Sequence, residues 1–154
     1  MNPVMMIGAF LLTSLVAGLF GGAAMEGVMV LIARAGWAKG NMIVALGSLL
    51  TKSRDNAFRV GLVVHAISAV GFAMVYTMLM LLLGLNHLPL SIMLGLGVGV
   101  FHGMIVSLML VWVVAEGHPL PEFNEAGLEV GLTHFAAHVA YGGVVGLIVG
   151  LSPL

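Results

Sequence analysis

Five ionisable residues stand inside otherwise apolar stretches of the sequence: Glu26, His65, His102, His134 and His138. The chain is 61% hydrophobic and only 7% charged, so ionisable residues at such positions are rare in it. A charged side chain at the centre of a bilayer costs about 2.5–3.5 kcal/mol even on insertion scales, unless it has a partner, a water path or a ligand. These five residues are therefore the predicted functional site.

Three of the five residues could share one metal ion with a carboxylate. His134 and His138 are four residues apart, so both imidazoles project from one helix face and could hold one ion. His65 and Glu26 would complete a set of three imidazoles and one carboxylate, with His102 as a deeper or supporting ligand. Nitrogen and oxygen ligands suit iron, copper, zinc or manganese. The set predicts a transition-metal site, although histidines in membrane helices can also serve packing alone.

A b-type haem is the main variant of this prediction, because a membrane helix bundle can hold it with two axial imidazoles. His65 with His138, or with His134, would be the cofactor-binding pair. Against haem, Glu26 has no evident role beside a porphyrin. A di-iron carboxylate site is disfavoured, because it needs several inward glutamates.

Two alternatives come from other functional classes. Chains of Glu and His in membranes are typical of proton relays, and Glu116, His118 and Glu122 could feed Glu26. Such a path through a chain this small requires an oligomer. The other alternative is an accessory subunit of a larger membrane complex, which would hold no ligand at all.

The elements that must position these residues are four long apolar stretches, at residues 4–33, 58–85, 90–115 and 128–151. Each exceeds the roughly 20 residues needed to cross the hydrocarbon core. Backbone groups must be satisfied within each segment, so the segments are predicted to be helices. With a mean hydropathy of +1.19, residues 1–154 are predicted to be a single all-α integral membrane domain with four transmembrane helices.

The loops predict an orientation. All basic residues fall between the end of the first stretch and the first turn of the second (Arg34, Lys39, Lys52, Arg54 and Arg59). The positive-inside rule puts that loop in the cytoplasm and both termini on the other side of an inner membrane. The acidic loop before residue 128, with Glu122 and Glu125, is expected to pair with this basic loop.

Residues 41–50 are apolar but too short to span a membrane. They predict a short interfacial or re-entrant helix with Asn41 as N-cap.

Small residues recur every four positions along three of the spans: Ser14, Gly18 and Gly22; Ser91, Gly95, Gly99 and Gly103; Gly142, Gly146 and Gly150. Such ridges let membrane helices approach closely, so they predict contacts between helices, in a homo-oligomer or with other membrane subunits. With a net charge of −1, no basic surface for nucleic acid is expected.

Residues 25–31 resemble 101–107, and residues 60–65 resemble 130–134. This repetition predicts two tandem parallel helix pairs, with chance similarity as the alternative.

The layout resembles that of small four-helix bacterial inner-membrane proteins. The resemblance rests on the Ala45-Leu46-Gly47 core of the first loop and on the last-helix pattern His138-x-x-x-Gly142-x-x-x-Gly146. It implies the four-helix membrane architecture, and it implies no activity, because that group has no settled one.

Overall fold

The structure, a computed structural model, describes residues 2–38, 41–124 and 127–154, except for the side chain of Val113. Lys39 and Glu125, which the sequence places in the two long loops, lie outside the described residues. The helices are α1 (Pro3–Arg34), α2 (Met42–Thr51), α3 (Ala57–Leu83), α4 (Leu90–Met109) and α5 (Leu128–Leu151).

Four helices of the described chain are long and apolar enough to cross a membrane: α1, α3, α4 extended through Trp112, and α5. The prediction of an all-helical chain with four long apolar helices is therefore confirmed. Local signals set their ends. The Asn2 Oδ1 accepts a hydrogen bond from the Met5 amide at 2.8 Å and caps α1. Gly84 ends α3 with a φ of +67°, a conformation that glycine adopts without strain.

The predicted short helix in the first loop is α2. Asn41 is its N-cap, as expected, and its Oδ1 accepts from the Val44 amide at 3.1 Å. A Cβ built on Gly47 would collide with the carbonyl oxygen of Ala57, and one on Gly61 would collide with that of Ile43. These contacts run in opposite directions along the chain, so α2 packs antiparallel against the start of α3.

The third span changes its winding near its end. After Met109 the chain continues as a π-helix over Leu110–Val114, in which the Ala115 amide donates to the Leu110 carbonyl at 3.0 Å, five residues back. The sequence predicts one regular helix through residue 115 and gives no signal for this segment. π-Helical turns are rare and occur frequently at functional sites.

The helices pack in a defined order, with α4 on α5, α5 on α1, α1 on α3, and α2 on α3. A Cβ on Gly99 would lie 2.7 Å from the His138 carbonyl oxygen, and one on Gly18 would lie 2.6 Å from the Val70 Cα. The small-residue ridges are thus contacts between helices of this one chain. The homo-oligomer, or the contact with other membrane subunits, stays a prediction, and the helix surface at Gly27 and Gly97, where no described atom lies within 4 Å of an added Cβ, is open for it.

Candidate functional site

A cavity of about 340 Å³ lies between α3, α4 and α5 and is covered by one face of α2. Four of the five predicted site residues line it: His65 from α3, His102 from α4, and His134 and His138 from α5. The remaining walls are mostly aliphatic and aromatic. Three separate helices therefore bring imidazoles to one apolar cavity, whose volume falls within the range of small-molecule sites.

The two α5 histidines are oriented by their own helix. His134 Nδ1 lies 2.8 Å from the Val130 carbonyl oxygen, and His138 Nδ1 lies 2.7 Å from that of His134. A carbonyl oxygen only accepts, so each Nδ1 carries the proton and each neutral ring keeps a lone pair on Nε2. Metal-bound histidines commonly donate their other N–H to a carbonyl in this way. His134 Nε2 is buried and has no hydrogen-bond partner among the described residues.

His102 joins this cluster from the facing helix. Its ring centroid lies 4.7 Å from that of His138, with the two planes at 73°. Its Nδ1 is 3.2 Å from the hydroxyl oxygen of the buried Tyr76. The sequence puts His102 nearer the midplane than the others, as a deeper or supporting ligand. In the structure it lies directly against His138.

Glu26 occupies a different position from the histidines. Its Oε1 is 3.9 Å from the Nε2 of His65, which is longer than a hydrogen bond. Both atoms are buried and lack a hydrogen-bond partner within the described part of the chain. Glu26 is not among the described residues that line the cavity. A separation of this size, with both atoms unsatisfied, suits a bridging water or ion.

The arrangement bears on the metal prediction. Within residues 2–38, 41–124 and 127–154, no group of three or more His, Cys, Asp or Glu side chains is positioned to hold a metal ion. A bare ion bound by three or four convergent protein ligands thus has no preformed site in the described chain. Whether these residues bind a metal stays a prediction. A metal cofactor whose own atoms supply most of the ligands would need fewer ligands from the protein.

The end of the cavity near the two long loops, here called the loop end, is held by His118. His118 is buried, with 6% of its surface exposed. Its Nδ1 accepts from the Leu120 amide at 3.1 Å, so its Nε2 carries the proton and donates to the Ala45 carbonyl at 3.1 Å. This bond ties the second loop to α2. An exposed ion pair between Arg54 and Glu122 confirms the predicted pairing of the basic and acidic loops.

Three aromatic residues of the site were missed by sequence reasoning. Phe72 and Tyr141 line the cavity, and Tyr76 contacts His102. The Tyr141 hydroxyl donates to the Ala69 carbonyl at 2.5 Å and links α5 to α3. A signal existed, because Phe72 lies two helical turns after His65 and Tyr141 lies one turn after His138.

Comparison of this chain with protein-family models, with curated proteins and with solved structures gave no significant match.

Proposed function

We propose that this chain binds an iron porphyrin, a b-type haem, in the membrane, with imidazoles of the cavity as axial ligands. The observation that carries the proposal is the convergence of four histidines from three helices on one apolar cavity of about 340 Å³. The buried Nε2 atoms of His65 and His134, unpartnered among the described residues, add to it. Buried polar atoms without partners in a native protein call for an explanation such as a bound ligand.

The geometry favours a porphyrin over a bare ion for two reasons. First, a porphyrin supplies four nitrogen ligands and asks the protein for only one or two, so the lack of three convergent donors among the described residues is no obstacle. Second, a bare ion would fill little of this cavity, and its mostly apolar walls suit part of an aromatic macrocycle, which as a whole is larger than about 340 Å³. The walls here include Phe72, Val106 and Leu110.

His65 and His138 are the proposed axial pair. Metal–nitrogen bonds near 2 Å hold the centroids of two opposed imidazoles roughly 6 Å apart. The His102 and His138 rings, with centroids at 4.7 Å, are too close to have a porphyrin between them. His65 lines the cavity from α3, whereas His138 lines it from α5. His102 and Tyr76 would then orient the His138 ring from the side.

The test is a titration of the purified protein with hemin, followed by its visible spectrum and iron content. We expect a Soret band that saturates at one haem per chain. His138→Ala should weaken binding at least tenfold, and His65→Ala should convert a six-coordinate to a five-coordinate spectrum. His87→Ala is the matched control, because His87 lies in the turn between α3 and α4, away from the cavity.

Two results would count against haem. Stoichiometric zinc, copper or iron without a Soret band would return the site to a bare transition metal. Identical spectra in the wild type and in the His65, His134 and His138 variants would show that haem binds elsewhere.

A proton path is a second candidate, favoured by the Glu26–His65 pair. Two unsatisfied ionisable atoms at 3.9 Å, one water apart, are the geometry that a proton relay uses. Under this candidate Glu26→Gln should abolish proton flux into vesicles while the protein still assembles. Under the haem proposal, Glu26→Gln leaves the Soret band in place.

A further inference from the structure

One side of the helix bundle is open. α3 and α4 make few direct contacts, whereas every other pair of neighbours in the order α4, α5, α1, α3 packs closely. The cavity lies behind this gap, because its lining comes from both helices, with His65 on one side and His102 on the other. In a bilayer, the outer side of the gap between α3 and α4 faces lipid.

Two residues of α3 line the cavity and are also exposed. Ser68 and Phe72, one turn apart, line the cavity and are exposed, Phe72 by 45%. The Phe72 ring reaches across the gap to His102 on α4, with ring centroids 4.2 Å apart. Few other contacts join α3 and α4. A rotamer change of Phe72 would widen the gap.

The loop end offers a competing route, and it is held more firmly. There α2 covers the cavity and is tied to the second loop by the bond from His118 to the Ala45 carbonyl. The Arg54–Glu122 ion pair adds a second link between the same two segments. A molecule coming from water would have to displace a helix that is also packed closely against α3.

The α3–α4 gap is loosely packed, whereas the loop end is tied. We therefore infer that the ligand of the cavity enters from the lipid phase, between α3 and α4, and that the Phe72 side chain controls this entry. The ligand class is a membrane-soluble planar molecule with an atom that imidazole can bind. The identity of that molecule as haem rests on the proposed function, whereas the position of the portal does not.

The position of the portal can be tested without any ligand. The chain has no cysteine, so Ser68→Cys creates a single site for a nitroxide spin label in liposomes. We expect frequent collisions with oxygen, which concentrates in lipid, and rare collisions with a water-soluble nickel chelate. Ile67→Cys, on the exposed surface of the same helix, gives the lipid reference. Collisions with the nickel chelate above those at Ile67 would overturn the lateral portal.

The role of Phe72 is tested by the rate of hemin uptake from preloaded liposomes. Phe72→Ala should speed uptake at least threefold, and Phe72→Trp should slow it, without loss of the bound spectrum. Phe20→Ala, a lipid-exposed control on α1, should change nothing. If the pair Arg54→Ala and Glu122→Gln speeds uptake while Phe72→Ala does not, the ligand enters at the loop end and the inference is wrong.

Failure of the proposed function looks different. If no variant binds hemin but the spin label at Ser68 lies in lipid, the portal stands and the ligand is another membrane-soluble molecule. If hemin binds and the label meets water, the cofactor proposal stands and the portal does not.

Discussion

Gly99→Ala should loosen the contact between α4 and α5 on which the histidine cluster is built. A Cβ at Gly99 would lie 2.7 Å from the His138 carbonyl oxygen and 3.1 Å from the Val139 Cα. Ordinary carbon–oxygen contacts lie at about 3.3–3.6 Å, so the helices must separate by roughly 0.6–0.9 Å. Overpacking of this kind costs about 1–3 kcal/mol. Replacing glycine by alanine in a helix returns up to about 1 kcal/mol.

The net expectation is a loss of about 1 kcal/mol in the free energy of unfolding, because a mid-range overpacking cost of about 2 kcal/mol exceeds a helix-propensity gain of about 1 kcal/mol. Reversible unfolding in mixed micelles, followed by circular dichroism, measures it. Gly97→Ala is the matched control on the same helix, because no described atom lies within 4 Å of its added Cβ. That variant should be neutral or slightly stabilised. Equal stability of the two variants would mean that α4 and α5 do not approach at Gly99 as described.

Three further changes test the polar contacts. Tyr141→Phe removes the bond to the Ala69 carbonyl and should lower the free energy of unfolding by about 0.5–1.5 kcal/mol; an unchanged value would refute that link between α5 and α3. Arg54→Ala removes an exposed ion pair and should cost less than about 1 kcal/mol, a difference that added salt abolishes. His118→Phe keeps an aromatic ring but removes the hydrogen bond to the Ala45 carbonyl of α2. A lysine-specific protease should therefore cut after Lys52 faster in this variant than in the Arg54→Ala protein. An equal rate would contradict the role of His118 in tethering α2.

The long apolar helices were predictable because a membrane segment must satisfy its backbone internally, which leaves length and hydropathy as sufficient signals. The last helix, Leu128–Leu151, agrees with its predicted range at both ends. Asn41 was also readable, since a cap is a local interaction between a side chain and the amide three residues on. The convergence of the histidines on one cavity was predictable because an ionisable side chain is costly to bury alone among apolar residues.

What the sequence did not reveal depends on contacts between distant segments. His118 looks like a loop residue, and only its bond to the Ala45 carbonyl, 73 residues away, explains its burial. The sequence predicts His102 as a deeper or supporting ligand, but the packing of α4 against α5 puts its ring centroid 4.7 Å from that of His138. The sequence predicts Glu26 and the histidines as one ligand set, but Glu26 lies beside His65 and is not among the described residues that line the cavity.

The π-helix at Leu110–Val114 has a consequence for how this molecule can vary. An α-helix advances about 100° per residue, so one additional residue rotates all that follows it by about that angle. The π-helix therefore separates two rotational settings of one continuous helix. Before it, the helix rotation fixes the face that carries His102; after it, the rotation fixes the direction in which the chain leaves toward His118. Deleting one residue there would leave the face of His102 unchanged and would turn the segment that leads to His118 away from the Ala45 carbonyl. Insertion or loss of a single codon is thus enough to change the orientation of the segment after the π-helix without changing that of α4.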